Sequence, residues 1–398
     1  MVSQRPDIEP ASNFVAPVTG RASARPAPIV KVALALGAAI VIVGGSPLVG
    51  ALRQALLIHW PAGYIPVLAA CVVLPALGIL ALSARSAMRA HVVTPQWSAA
   101  RLAAIGLAFG VAIAVGYSER TGDPNVDVVE AFHFVEFGAL TCLFVWAAAP
   151  LVPGHAWVWG AAASIVVGAL DEWTQWFVPN RTGEIRDVGI DAVATLCGVL
   201  LVMALQIGGR PDTRRLVRPA ALAAAVTLVA VATCFAVIHL GSIVLDADAG
   251  RFRTRFSGPE LLDFSHDRAA CWGSGPIPEP GLFAREDQYL SEALWHVRRR
   301  NRAAEASDTV TAWREERILE TYFAPILRVA TPARSRGHAF STEQLATIEA
   351  GRAGAADGES DASPIPIFAW SKPVFWTAVA GAVGMLGIVA ALGGPGHS

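Results

Sequence analysis

The chain has 398 residues, 54% of them hydrophobic and only 16% charged, with a net charge of -1. Soluble domains carry about 25% charged residues, so an ordinary soluble enzyme is excluded, and a near-neutral chain has no basic field to hold nucleic acid. More than half of the Asp, Glu, Lys and Arg fall between Asp246 and Lys372, so the chain is apolar with one polar insert. Cys71, Cys142, Cys197 and Cys234 lie in apolar runs and Cys271 stands alone in the insert. No pair there can close an internal disulfide, and Cys271 is expected to be a buried free thiol.

In chain order, residues 1–29 are rich in Pro, Ser and Ala without apolar periodicity, which predicts a disordered cytoplasmic tail. Eight apolar stretches follow, at 32–52, 61–82, 102–117, 131–151, 156–178, 188–207, 219–244 and 373–394. Each is read as a membrane-crossing helix, which needs about 20 mostly apolar residues, the third being short but open to extension by Trp97 and Arg101 lying at the interface. Trp157, Trp159, Trp173 and Trp176 near the ends of the fifth stretch are expected as interfacial anchors, and Thr233 and His239 on the seventh as packing residues.

Basic residues of short loops resist translocation. With a cytoplasmic N-terminus, the inner side carries Arg5, Arg21, Arg25, Lys31, Arg85, Arg89, Arg101, Arg210, Arg214, Arg215 and Arg218, against Arg53, Arg120, Arg181 and Arg186 outside. This predicts a multi-pass protein of the cell (inner) membrane with both termini cytoplasmic and residues 246–372 extracytoplasmic. The fold class expected is all-α, a polytopic membrane helix bundle of about eight helices with a mostly helical extracytoplasmic domain. Its parts are the tail at 1–29, a seven-helix membrane domain at 30–245, the extracytoplasmic domain and linker at 246–372, and a final helix with a short tail at 373–398.

Within the insert, helices are expected at 284–303 and 309–328, the second with an apolar stripe of Leu319, Tyr322, Phe323 and Ile326 that needs a partner surface. Ser341 and Gln344 fit a capping box opening a third helix. "CWGSGPIPEPG" reads as loop, "GRAGAADGES" as linker, and Arg298, Arg299, Arg300 and Arg302 as a solvated charged face.

Ionisable residues inside membrane helices are costly and mark sites or cross-helix pairs. Here they gather at the start of the fourth stretch (Glu130, His133, Glu136), the end of the fifth (Asp171, Glu172, Gln175, then Arg181) and the start of the sixth (Arg186, Asp187, Asp191). Short connections make these three helices antiparallel neighbours, which predicts one polar pocket open to the outer side. "EAFHFVEFGAL" followed by "DEWTQWFVPNRTGEIRDVGIDAVATLCG" resembles the paired signature of VanZ-like membrane proteins over residues 130–198. The pattern matches at His133, Glu136, Asp171, Glu172, Gln175, Pro179, Arg181, Asp187 and Gly198, and departs where Asp191 replaces an Asn and Ala194 a Gly. The insert is similar to an extra outer segment of some longer members.

The resemblance implies an association with teicoplanin-type glycopeptide resistance. From the residues, three readings stand. Arg181 and Arg186 could fork a phosphate or carboxylate of a lipid-linked wall precursor at the outer leaflet, with His133, Glu136, Asp171, Glu172, Gln175, Asp187 and Asp191 around it. Alternatively His133 and the carboxylates serve a hydrolase acting on lipid-linked phosphate, with His133 as general base or with a divalent metal on Glu130, His133, Glu136 and Asp171. The third reading is helix packing alone. No cofactor is expected apart from that metal. The partners expected are membrane lipids, lipid-linked precursors and an envelope component at the outer domain.

Overall fold

The computed structural model describes residues 27–91, 95–178, 183–213, 215–272, 287–329, 337–363 and 365–393. Arg181 lies outside the described residues, as do nearly all of the expected N-terminal tail and most of the "CWGSGPIPEPG" loop. Before the polar insert the chain forms α1 (Pro28–His59), α2 (Pro61–His91), α3 (Pro95–Ser118), α4 (Pro124–Ala148), α5 (Ala156–Gln175), α6 (Ile185–Leu205) and α7 (Val217–Ile238). The first four each open on a proline, where the missing N–H costs no intrahelical bond. Starting at Pro95, α3 has 24 residues and takes in Trp97 and Arg101, so the short third stretch is lengthened at its start as expected.

Among the described residues seven helices are long and apolar enough to cross a membrane: α1 to α4, α6, α7 and the C-terminal helix. The fifth expected span fails that test of composition. Its 20 residues still reach about 30 Å, and its packing follows its neighbours' full length. Gly160 meets Val145 and Ser164 meets Phe137 on α4, while Ser164 meets Thr195 and Gly168 meets Asp191 on α6. These pairings run in opposite chain directions, so α5 is antiparallel to both; α4 and α6 are parallel, joined at His133–Asp191 and Thr141–Gly198. Because α5 is walled by protein, it tolerates acids that a lipid-facing helix would not.

Three hydroxyls line the seam between α4, α5 and α6. Thr141 and Ser164 both donate to the Phe137 carbonyl, and Thr195 donates to Ser164, all without solvent exposure. Gly198 lets α6 touch α4: a Cβ there would lie 2.8 Å from that of Thr141 and 2.9 Å from the Gly138 carbonyl. Small residues bring membrane helices close enough for dispersion to hold them.

The seventh stretch ends at Ile238, not at 244. Residues Ser242–Asp246 form β1, antiparallel to β2 (Gly250–Thr254). The β-branched "SIV" reads as more membrane helix, but strand pairing takes it. Then come α8 (Gly258–Trp272), α9 (Asp287–Glu305), α10 (Thr309–Tyr322), α11 (Ala324–Arg328), α12 (Thr342–Ile348), α13 (Arg352–Ala355), β3 (Glu359–Asp361) and α14 (Lys372–Leu392). The helix expected over 309–328 breaks at Phe323 ahead of Pro325, which cannot donate to the ladder. The capping box is present, with Ser341 accepting from Gln344 and Gln344 reaching back to the Ser341 N–H.

"GRAGAADGES" is not a linker. It holds α13 and the start of β3, which pairs parallel to β2 and completes a three-stranded sheet. Arg314 fixes it there by donating to the Ala355 carbonyl at 2.9 Å. The stripe on α10 and α11 finds its partner: Leu319, Phe323 and Ile326 pack with Phe252, Leu261 and Tyr289, all fully buried. Nor is the arginine run a solvated face throughout. Arg300 is fully buried, ion-paired to Glu316 and stacked 3.7 Å from the Phe340 ring centre, because on an amphipathic helix it points at α10. Cys271, at the exposed end of α8, is not a buried thiol.

The polar domain is fastened to the ends of α5, α6 and α7. Arg255, 7% exposed, donates to the Ile238 carbonyl, to Glu292 and to Ser363, and its guanidinium lies 4.3 Å from the Trp176 ring centre. Trp176 is therefore a buried docking residue and not a membrane-interface anchor. Its carbonyl also accepts from Gln288. On the far side, residues 239–241 pair with Phe368, and α14 returns antiparallel along α7.

Candidate functional site

The end of the bundle under the polar domain holds the ionisable residues of α4, α5 and α6. His133, three turns into α4, points Nδ1 at Asp191 Oδ1 at 2.7 Å. Asp191 has no solvent exposure, and its other oxygen accepts no hydrogen bond among the described residues. That oxygen faces Gly168 of α5, where a Cβ would come within 2.6 Å of it, so the glycine makes the room for a side chain at 191. Glu136 is half-buried one turn beyond His133, within electrostatic reach of His133, Asp171 and Asp191.

The last turn of α5 is a local network. Gln175 donates to Asp171 at 2.6 Å and to Glu172 at 3.0 Å, and Glu172 accepts the Glu184 N–H at 2.9 Å where the chain enters α6. At the rim, the Arg186 Nε donates to Glu119 at 2.8 Å. Its two terminal nitrogens stand 4.0 Å from Glu130 and 3.9 Å from Asp187, too far for hydrogen bonds. The side chain is 42% exposed. Partial burial raises the pKa of Glu184, just before α6, against the pull of Arg186.

The candidate residues thus fall into three adjoining groups: His133 with Asp191 and Glu136; Asp171, Glu172 and Gln175; and Arg186 with Glu130 and Asp187. Arg181 lies outside the described residues. Among the described residues no three His, Cys, Asp or Glu side chains converge in a set that could hold a metal ion.

Two participants escaped the reading of the sequence. Glu119 sits in a loop before α4, where an acid is unremarked, and only the fold brings it to Arg186. His239 is more than a packing residue: its Nδ1–H donates to the Pro366 carbonyl at 2.8 Å, which leaves Nε2 to accept the Ile185 N–H at 3.0 Å. It thereby caps α6, satisfying one of the orphan donors of that helix, and ties the site to the polar domain. A histidine at the end of an apolar run carried a signal; its partner did not.

Chemically, the His133–Asp191 pair fixes one ring nitrogen and leaves Nε2 free of hydrogen bonds among the described residues, on a side chain 14% exposed. A carboxylate holding the far side of an imidazole is the arrangement that orients a general base. The Arg186 terminal nitrogens are charged donors whose neighbours Glu130 and Asp187 stand at ion-pair distance but beyond hydrogen-bond reach.

The VanZ/LLP1 family model matches residues 83–206, a stretch that holds α3 to α6 and every member of the three groups. No curated protein and no solved structure matches the chain. Helices α3 to α6, with the polar cluster at one end, are the VanZ-like part of a longer, multi-pass membrane-protein chain.

Proposed function

We propose that this protein acts at the outer leaflet of the cell membrane, on or near lipid-linked cell-envelope precursors, and that it contributes to glycopeptide (teicoplanin-type) tolerance. The observation that carries this reading is Arg186: one nitrogen is held by Glu119 while the other two, at ion-pair distance from Glu130 and Asp187, make no hydrogen bond among the described residues. Such a half-satisfied fork suits a phosphate. The carboxylates behind it keep the arginine in place, and the polar domain over the same end would meet an envelope component outside the membrane. The distribution of basic residues supports that orientation. Alkaline phosphatase fused after residue 300 is then active, and inactivity there would reverse it.

The test uses a strain whose glycopeptide tolerance depends on this protein. Arg186→Ala and His133→Ala each lower tolerance to that of a strain without the protein. Unchanged tolerance at normal protein abundance would overturn the reading. A second reading, turnover of a lipid-linked phosphate, is favoured by the Nε2 of His133, which has no hydrogen-bond partner among the described residues. Asp191→Asn separates the two. An amide still accepts from His133 but no longer stabilises an imidazolium, so a binding function survives and a base-catalysed one fails.

A further inference from the structure

On the face of α4 turned away from His133, α3 leans on α6 and leaves a gap that α2 roofs. The gap is a groove of about 680 Å³ whose walls are apolar, among them Val73, Ala112, Phe134 and Leu201. Its volume falls within the range of small-ligand sites. Its polar residues, Tyr117, Arg120 and Asp127, come from the end of α3 and the start of α4, so they stand at the membrane surface while the walls lie deeper.

The two charges at that mouth are of opposite sign and are not an ion pair. Arg120 is exposed, lies 5.0 Å from the Tyr117 ring centre and has no carboxylate partner among the described residues. Asp127 uses Oδ1 to accept the Thr121 N–H at 2.8 Å and the Thr121 hydroxyl at 3.0 Å, and makes no ion pair with Arg120. A mouth with one cation and one anion, over a groove of hydrocarbon character, complements a zwitterion attached to a long chain. A purely anionic head would leave Asp127 opposed to its own charge, and a quaternary ammonium offers Asp127 no N–H donor.

We infer that the groove between α2, α3 and α4 holds one aminophospholipid, its hydrocarbon chain along the apolar walls, its phosphate on Arg120 and its primary ammonium on Asp127. The site is separate from the His133 cluster and stands or falls without it.

Native mass spectrometry tests this on the full-length protein, reconstituted with equal amounts of phosphatidylethanolamine, phosphatidylglycerol, phosphatidylcholine and a polyprenyl phosphate. The wild type retains phosphatidylethanolamine over the others by about tenfold, the effect of one charge-assisted hydrogen bond. Asp127→Asn, which keeps the acceptor for Thr121, brings it down to the level of phosphatidylcholine. Arg120→Gln lowers retention of every phosphate lipid. Gly116→Leu blocks the groove and lowers all retention; a Cβ at Gly116 has nothing within 4 Å, so the added side chain starts in open space at the groove wall. Equal retention of the lipids by the wild type, preference for the polyprenyl phosphate, or retention indifferent to Gly116→Leu would overturn the assignment.

Discussion

Glu315 is fully buried in the polar domain, where burial by itself would raise its pKa. The His296 ring at 2.5 Å, Arg299 at 3.3 Å and the Ser360 hydroxyl at 2.6 Å outweigh that and hold the carboxyl below its ordinary value of 4.5. A carboxyl depressed on folding contributes stability that is complete above its unfolded pKa and is lost as pH falls through the folded one. We therefore expect the domain to lose stability progressively below pH 4.5 and Glu315→Gln to flatten that acid limb while lowering stability at neutral pH. Thermal unfolding of the solubilised protein across pH reads both effects; an acid limb unchanged by the substitution would refute the assignment. Residue types at such places are legible in a sequence, because an acid or histidine in an apolar run is expensive. Partners are not: His133 and Asp191 are 58 positions apart, and Glu119 reaches Arg186 over 67.

Among elements, the contact of α4 with α6 is the tightest constraint on the site, since it fixes the depth at which Asp191 meets His133. Gly198 has no room for a larger side chain. Gly198→Val is expected to cost about 1–3 kcal/mol through overpacking, seen as a lowered Tm of the solubilised protein, with Gly198→Ala intermediate; an unchanged Tm would show that the helices part freely. Helix existence was readable from apolar runs, and the short helix after Ser341 from its capping box. The sheet was not. Its strands are five, five and three residues long, and β3 pairs with β2 across more than a hundred positions, so no local period announces it. The end of α7 was misplaced for the same reason: "SIVLD" satisfies a hydropathy window as well as a strand does.

For the whole molecule, the question is what couples the membrane bundle to the polar domain. Arg255 bridges them, and burial draws its pKa down while Glu292 opposes the shift. Arg255→Ala strands Glu292, itself 1% exposed, and removes the stack on Trp176. Breaking a buried pair from one side costs about 3–5 kcal/mol. In limited proteolysis of the intact protein, we expect the polar domain to be cut much faster while the membrane helices stay whole; a wild-type cleavage rate would mean that the other contacts suffice. Composition alone separated the two materials of the chain, but their joint depends on side chains that no hydropathy profile distinguishes.

Where the chain leaves α7 and where it rejoins α14, Leu240 and Phe368 are bridged side by side, and the two helices then run back along each other. The domain therefore hangs from the bundle by a closed neck. Topologically it is an insertion, and because the bridge at its neck is parallel, no tight hairpin could stand in for it: any connection from position 240 to position 368 must first carry the chain back past the bridge.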